Sequence, residues 1–216
     1  MFNAEATLLG QVANVKEDNM RMTPRIVVGM AHNSGPGDRE RPAQAFFKPP
    51  STVIGPGDPI VLPEGAGLVE PEAEIALVIG ATCRNLTPET AAAALRGWTV
   101  GNDVTGRDLQ KADPLWTRAK GYDTFTPLSD VVVPGLPDPD TDINLLADGQ
   151  LVSSAKLSSL ARGPIEILCY VSSFMTLEPG DVILTGAPGK ALPLVPGMTV
   201  TIAAGGVELS NPVVAE

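Results

Sequence analysis

The sequence predicts a strand-dominated α+β fold, and three observations carry that reading. Short apolar runs rich in branched residues recur after Pro-Gly turns, helical periodicity is confined to a few segments, and 22 glycines and 21 prolines punctuate the chain. The run Ile75–Ile79 is stopped by Gly80 and reads as a buried strand. GPGDPIVLP (55–63), EPGDVILTG (178–186) and VPGMTVTI (195–202) each lead a turn into a short strand. Their irregular spacing excludes a repeat architecture. Among helices, Thr87-Pro88-Glu89 supplies an N-cap, a proline at the first helical position and an acid, with an alanine run to Arg96 behind them. A second helix starts near Pro164, where Ile165, Leu168, Val171 and Met175 recur on one face. A shorter one follows Asp103, through TGRDLQ. Residues 1–25 read as a short N-terminal strand segment, and the polar, Gly/Pro-rich HNSGPGDRERP (32–42) as a mobile lid loop. No linker divides residues 1–216, so one domain is expected.

Composition narrows the function. A chain of 216 residues, 44% hydrophobic, is long enough to bury one sizeable core. The net charge of −10 is spread along the chain with no basic run, which argues against a nucleic-acid surface. No run approaches the roughly 18 apolar residues of a membrane span. The N-terminus lacks the basic start and apolar core of a signal peptide, so a soluble cytoplasmic protein is expected. Cys83 and Cys169 follow no metal-ligand spacing and read as packing residues, and a single histidine speaks against structural zinc.

The chemistry gathers around VEPEAEIALVIG (69–80). Strand alternation puts Glu72 and Glu74 on one face with Ala76 and Val78, a face that runs from two charges into the interior. Such a pair is costly unless something positive lies between the carboxylates. Further along, GNDVTGRDLQ (101–110) supplies Asp103 and sets Arg107 and Gln110 on one helical face. LWTRAKGYDTFTP places Lys120 among aromatics. Glu72, Glu74 and Asp103 offer three oxygens of the kind preferred by Mg²⁺, Mn²⁺ or Ca²⁺. Each has a plainer reading: alternating acids mark a solvent edge, Asp103 caps a helix, Arg107 pairs with Asp103, and Lys120 lies on the surface. Lys48, after two aromatics in FFKPPS, is either a snorkelling edge residue or a substrate contact and stays outside the catalytic set.

FFKPPSTVIGPGDPIVLP, EAEIALVIG, GNDVTGRDLQ, LWTRAKGYDTFTPL and TLEPGDVILTGAP occur in that order, and together they resemble the fumarylacetoacetate hydrolase family from about Ile26 to Val213. The resemblance implies a mixed β-sheet rolled into a barrel-like core with a few short helices, commonly dimeric. It implies that Glu72, Glu74 and Asp103 bind Mg²⁺ or Mn²⁺, that Lys120 is the active-site lysine, and that Arg107, Gln110 and Thr185 contact substrate. The activity implied is metal-dependent hydrolysis of a C–C bond in a small acylpyruvate or other 2-oxo acid, through an enolate. Two departures stand out. GMAHNSGPGD puts His32, Gly35 and Asp38 where relatives carry the Tyr, His and Glu of a Tyr-x-x-His-x-x-Glu pattern, leaving a shifted His32–Asp38 pair as the candidate base. PLSDVVV (127–133) replaces a Gly-Pro-aromatic run along the pocket wall. Isomerisation, tautomerisation or decarboxylation of the same acids is the rival, since none needs activated water. An idle 2-oxo acid binding protein is the third reading.

Overall fold

The computed structural model describes residues 21–216, so most of the segment expected as an N-terminal strand lies outside the described residues. Seven strands come from the first half: β1 (Val27–Ala31), β2 (Gln44–Lys48), β3 (Val53–Ile54), β4 (Ile60–Leu62), β5 (Val69–Glu70), β6 (Ala73–Ile79) and β7 (Leu95–Asn102). Eight follow: β8 (Thr105–Gly106), β9 (Thr126–Pro127), β10 (Val133–Pro134), β11 (Asp142–Ala147), β12 (Gln150–Lys156), β13 (Val182–Leu184), β14 (Thr199–Ala204) and β15 (Val207–Ala215). The α-helices are α1 (Pro88–Ala91), α2 (Arg107–Ala112), α3 (Thr117–Lys120) and α4 (Pro164–Phe174).

The strands build a mixed six-stranded sheet, ordered β10-β7-β6-β13-β1-β2, and a five-stranded sheet, ordered β12-β11-β14-β15-β4. Ile75, Leu77 and Val100 of the first share one hydrophobic cluster with Ile143, Leu145, Ile202 and Leu209 of the second. The strand-dominated α+β expectation is met, whereas the barrel is not: among the described residues both sheets are open. The six-stranded sheet stops where chemistry stops it. β10 is two residues long and ends in Pro134, and β2 runs into Pro49-Pro50, which have no N–H to extend a ladder.

All three Pro-Gly turns lead into strands, β4, β13 and β14. The alanine run departs from expectation. α1 gives way to a 3₁₀ turn at Ala92–Ala94, and Leu95 already belongs to β7, because pairing β7 with the buried β6 outweighs alanine's helix preference. Asp103 does not cap α2: the chain first pairs β8 with β5, and the helix begins at Arg107 after Gly106. α4 starts at Pro164 and buries Ile167, Leu168 and Val171. Both cysteines are free and pack against the core. Among the described residues no helix is long and apolar enough to cross a membrane.

Candidate active site

β6 and β7 form an antiparallel hairpin, so the residue before β6 and the residue after β7 meet at the same end of the sheet. The backbone stitches that end shut. Asp103 donates its N–H to the Glu72 carbonyl at 3.0 Å, and Glu72 donates its own to Asn102 Oδ1 at 3.1 Å. Glu74 follows on β6 opposite Gly101 and is buried. The result is a cluster in which one carboxylate oxygen from each of Glu72, Glu74 and Asp103 lies within 4.8 Å of the others.

Two buried lysines serve the cluster. Lys120, at the end of α3, bonds Glu72 Oε2 at 2.7 Å, Asp103 Oδ2, and Thr105 Oγ1 at 2.7 Å, while its ammonium stands 4.8 Å above the centre of the Phe46 ring. Lys48, from β2, bonds Asp103 Oδ1 at 2.6 Å and the Val104 carbonyl at 3.3 Å. Burial alone would depress the Lys120 ammonium, but the charges of Asp103 and Glu72 and their hydrogen bonds raise it. For Lys48 burial prevails and the shift is downward. Burial pushes Glu72 up, yet Lys120 and Arg107 outweigh it and hold its carboxyl at about 2. Burial, then the neighbouring charges of Asp103 and Glu72, hold Glu74 well above the usual carboxylate range. Glu74 has no cationic hydrogen-bond partner among the described residues. It accepts the Gly186 N–H at 2.6 Å.

That imbalance tests the fit of a metal. Three clustered carboxylates, one lacking a cation, with only oxygen donors, suit a hard divalent ion such as Mg²⁺ or Mn²⁺.

Arg107, expected to contact substrate, is engaged by three side chains of the site. Its guanidinium bonds Glu70 at 2.6 Å, Glu72 Oε1 at 2.8 Å and Gln110 Oε1 at 3.0 Å, which fixes one side of Glu72. Arg107 and Gln110 line a cavity of about 270 Å³ together with Glu72, Glu74, Lys120 and Trp116. Thr185 stays outside that lining: it is buried and its hydroxyl bonds the Ile75 carbonyl at 2.9 Å, tying β13 to β6. Its neighbour Gly186 faces the cavity in its place. With φ at +102° and no room for a Cβ, which would lie 2.3 Å from the Asn33 carbonyl, that position requires glycine.

His32 and Asp38 both line the cavity, but they do not form the expected pair. His32 Nδ1 is 2.9 Å from Arg41 Nη1; a guanidinium only donates, so Nδ1 accepts and the ring carries its proton on Nε2. Its ring meets Trp116 edge-on at 5.7 Å. Asp38 accepts the Ser34 N–H at 2.9 Å within its own turn. The 32–42 segment is tethered to the body of the protein through Arg39, which bonds the Ala161 carbonyl at 3.0 Å and Glu166 at 2.5 Å.

Lys48, Phe46, Trp116, Gly186 and Asn33 join the site without having been singled out as its members from the sequence. Asn33 donates to the Thr185 carbonyl at 2.7 Å and the Arg162 carbonyl at 3.0 Å, pinning the two loops beside Glu74. Only FFK carried a signal, a lysine following two aromatics. Even there, what decides is Gly29 on the neighbouring strand, where a Cβ would stand 2.2 Å from the Phe46 ring.

The fumarylacetoacetate (FAA) hydrolase C-terminal family matches residues 12–214. The chain belongs to that family. A solved 5-carboxymethyl-2-hydroxymuconate delta-isomerase from Mycobacterium smegmatis shares 37% identity at a TM-score of 0.85, over 90% of this chain and 80% of the other. A maleylpyruvate hydrolase from Sphingobium sp. SYK-6, solved with manganese(II) and pyruvate, shares 29% at a TM-score of 0.78, over 90% and 72%. The mitochondrial oxaloacetate tautomerase fahd2 of Xenopus laevis is 38% identical over 66% of this chain and 46% of its own length. Proteins of Mycobacterium tuberculosis and Archaeoglobus fulgidus match at 42% and 43% identity, over 78% and 66% of this chain, and the chain spans 65% and 57% of their lengths. An isomerase and a hydrolase thus resemble this chain in fold, and a tautomerase resembles it in sequence.

Proposed function

We propose that this chain is a divalent-metal-dependent tautomerase or isomerase of a small 2-oxo acid, acting through an enolate. One observation carries the reading: Glu72, Glu74, Asp103 and Lys120 are assembled, while His32 faces Arg41 and Asp38 accepts the Ser34 N–H, so the two are not joined as the pair that would activate water. When bound by the three carboxylates, Mg²⁺ or Mn²⁺ supplies Lewis-acid stabilisation for oxygen-centred negative charge.

The protein's own groups do the rest. Lys120 holds a fixed positive charge at the cavity wall, in a site shielded by Phe46 and Trp116, where a developing enolate oxygen gains most from it. Arg107 and Gly186 aim Glu72 and Glu74. Gln110 gives its carbonyl oxygen to Arg107, which leaves its amide N–H₂ to donate to a substrate carboxylate. Enol-to-keto conversion moves one proton, lost from the enol oxygen to solvent and regained from solvent at the neighbouring carbon, and neither exchange requires a water deprotonated for attack.

Hydrolysis of an acylpyruvate, the first expectation, becomes the second reading. His32 and Asp38 lining the same cavity favours it, as does the likeness to the maleylpyruvate hydrolase. The two part on product. With Mg²⁺, accelerated loss of oxaloacetate enol absorbance without pyruvate, abolished by EDTA, is the expected outcome. Mg²⁺-dependent pyruvate release from acetylpyruvate, with no effect on oxaloacetate enol, would overturn it in favour of hydrolysis.

A further inference from the structure

His32 and Arg41 stand near the two ends of the 32–42 segment, and one buried residue holds both ends. The Asn33 side chain pairs with the Arg162 backbone in both directions: its amide donates to the Arg162 carbonyl at 3.0 Å, and its Oδ1 accepts the Arg162 N–H at 2.7 Å. The Arg162 guanidinium, itself buried, donates to the Arg41 carbonyl. His32, left-handed at φ +53°, turns the chain out of β1 just before the first anchor. The side chains beside the two anchors are thereby brought together, with Arg41 Nη1 2.9 Å from His32 Nδ1.

No carboxylate competes for this guanidinium: Arg41 forms no ion pair among the described residues. His32 lines the cavity, and Arg41 stands outside that lining. The lone pair of the ring is thus spent on a residue outside the cavity. Nε2, which has no hydrogen-bond partner among the described residues, carries the N–H. In this form the imidazole can give a hydrogen bond but has no second lone pair with which to take a proton from water.

Resting on the reading of the cavity as a 2-oxo acid site, we propose that His32 contacts the substrate as a hydrogen-bond donor, through Nε2–H to an oxygen of the bound acid. Arg41 is a positioning residue that fixes the tautomer and the ring, and Arg162 holds Arg41 in place through its carbonyl.

His32 is the only histidine in the chain, so proton–nitrogen spectra of the isotopically labelled, Mg²⁺-loaded full chain report on that ring alone. In mildly alkaline buffer the ring should carry its proton on Nε2 only. Oxalate, a non-reacting mimic of a 2-oxo acid, should move that proton downfield and slow its exchange with solvent. Arg41→Met should give a mixture of tautomers and weaken oxalate by roughly fivefold, the worth of about one net hydrogen bond. Arg41→Lys should restore most of both. A proton on Nδ1, an Nε2–H unmoved by bound oxalate, or an Arg41→Met protein with unaltered tautomer or unaltered affinity overturns the assignment while leaving the 2-oxo acid site intact. Failure of the wild type to bind oxalate overturns the underlying reading and this inference with it.

Discussion

The ammonium of Lys48 lies 2.6 Å from Asp103 Oδ1, and neither side chain is more than 2% exposed. Lys120 takes the other oxygen of the same carboxylate. One aspartate therefore joins β2, the end of β7 and α3, and two buried cations depend on it.

Removing Lys48 leaves that carboxylate half-compensated in a site closed to water. Lys48→Met should lower the unfolding free energy by about 2–4 kcal/mol, toward the range found when a buried pair loses one partner. Urea denaturation measures it, and a loss below about 1 kcal/mol would mean that Lys120 alone suffices for Asp103.

Lys120 occupies oxygens that a divalent ion would also use. Lys120→Met should cut turnover by about 100-fold or more while leaving Mn²⁺ affinity equal or higher, because a competitor has gone. Manganese titration followed by electron paramagnetic resonance distinguishes this from collapse of the site, in which binding falls with turnover.

Glu72 and Glu74 pull the metal-free protein in opposite directions with pH. Glu72, held at about 2, adds stability that is present above the ordinary 4.5 and is lost as pH falls towards 2. Glu74, raised, binds its proton more tightly folded than unfolded, so its contribution is full below 4.5 and is lost as pH rises through its folded value. In EDTA, Glu74→Gln should flatten the decline above pH 4.5, cost little stability at neutral pH, and abolish stabilisation by added Mg²⁺. Thermal unfolding across pH, with and without the ion, checks all three.

His32 separates the two reactions. If water activation is not part of turnover, His32→Asn should keep enol–keto conversion within about threefold, an effect of packing against Trp116 rather than of proton transfer. A loss of two or more orders of magnitude, with metal binding intact, would make the imidazole the base.

Gly186→Ala places a methyl against the Asn33 carbonyl at a φ of +102°. About 1–3 kcal/mol of stability should go, and the amide that holds Glu74 should move. Weaker Mn²⁺ binding alongside the lower melting temperature is the expected pair of results, and unaltered binding would show Glu74 to be held by other contacts.

Local chemistry made much of this legible. The apolar run at 75–79 and the Pro-Gly turns announced their strands because turn geometry and branched side chains act within a few residues. Glu72, Glu74 and Asp103 could be grouped from the ordered motifs. Lys48, Trp116 and Asn33 could not, since each reaches the site through strand order or through a loop folded back on it, and no periodicity records that. The alanine run misled for the same reason: its propensity is local, but β7 is decided by its partner. His32 and Asp38 share a loop, yet their partners, Arg41 and the Ser34 amide, are set by backbone turns that composition does not encode.

The central position of β13 has a consequence for how the molecule comes into being. Val182–Leu184 lies between Val27–Gly29 and Ala76–Val78, hydrogen-bonded to both. In chain order β1–β2 and β6–β7 both come before it, one bearing Lys48 and the other flanked by Glu72 and Asp103. A ribosome therefore releases the two halves of the site well before the strand that unites them. Lys48 and Asp103 already precede that strand and can meet without it, whereas Gly186, the amide that Glu74 accepts from, arrives only with it.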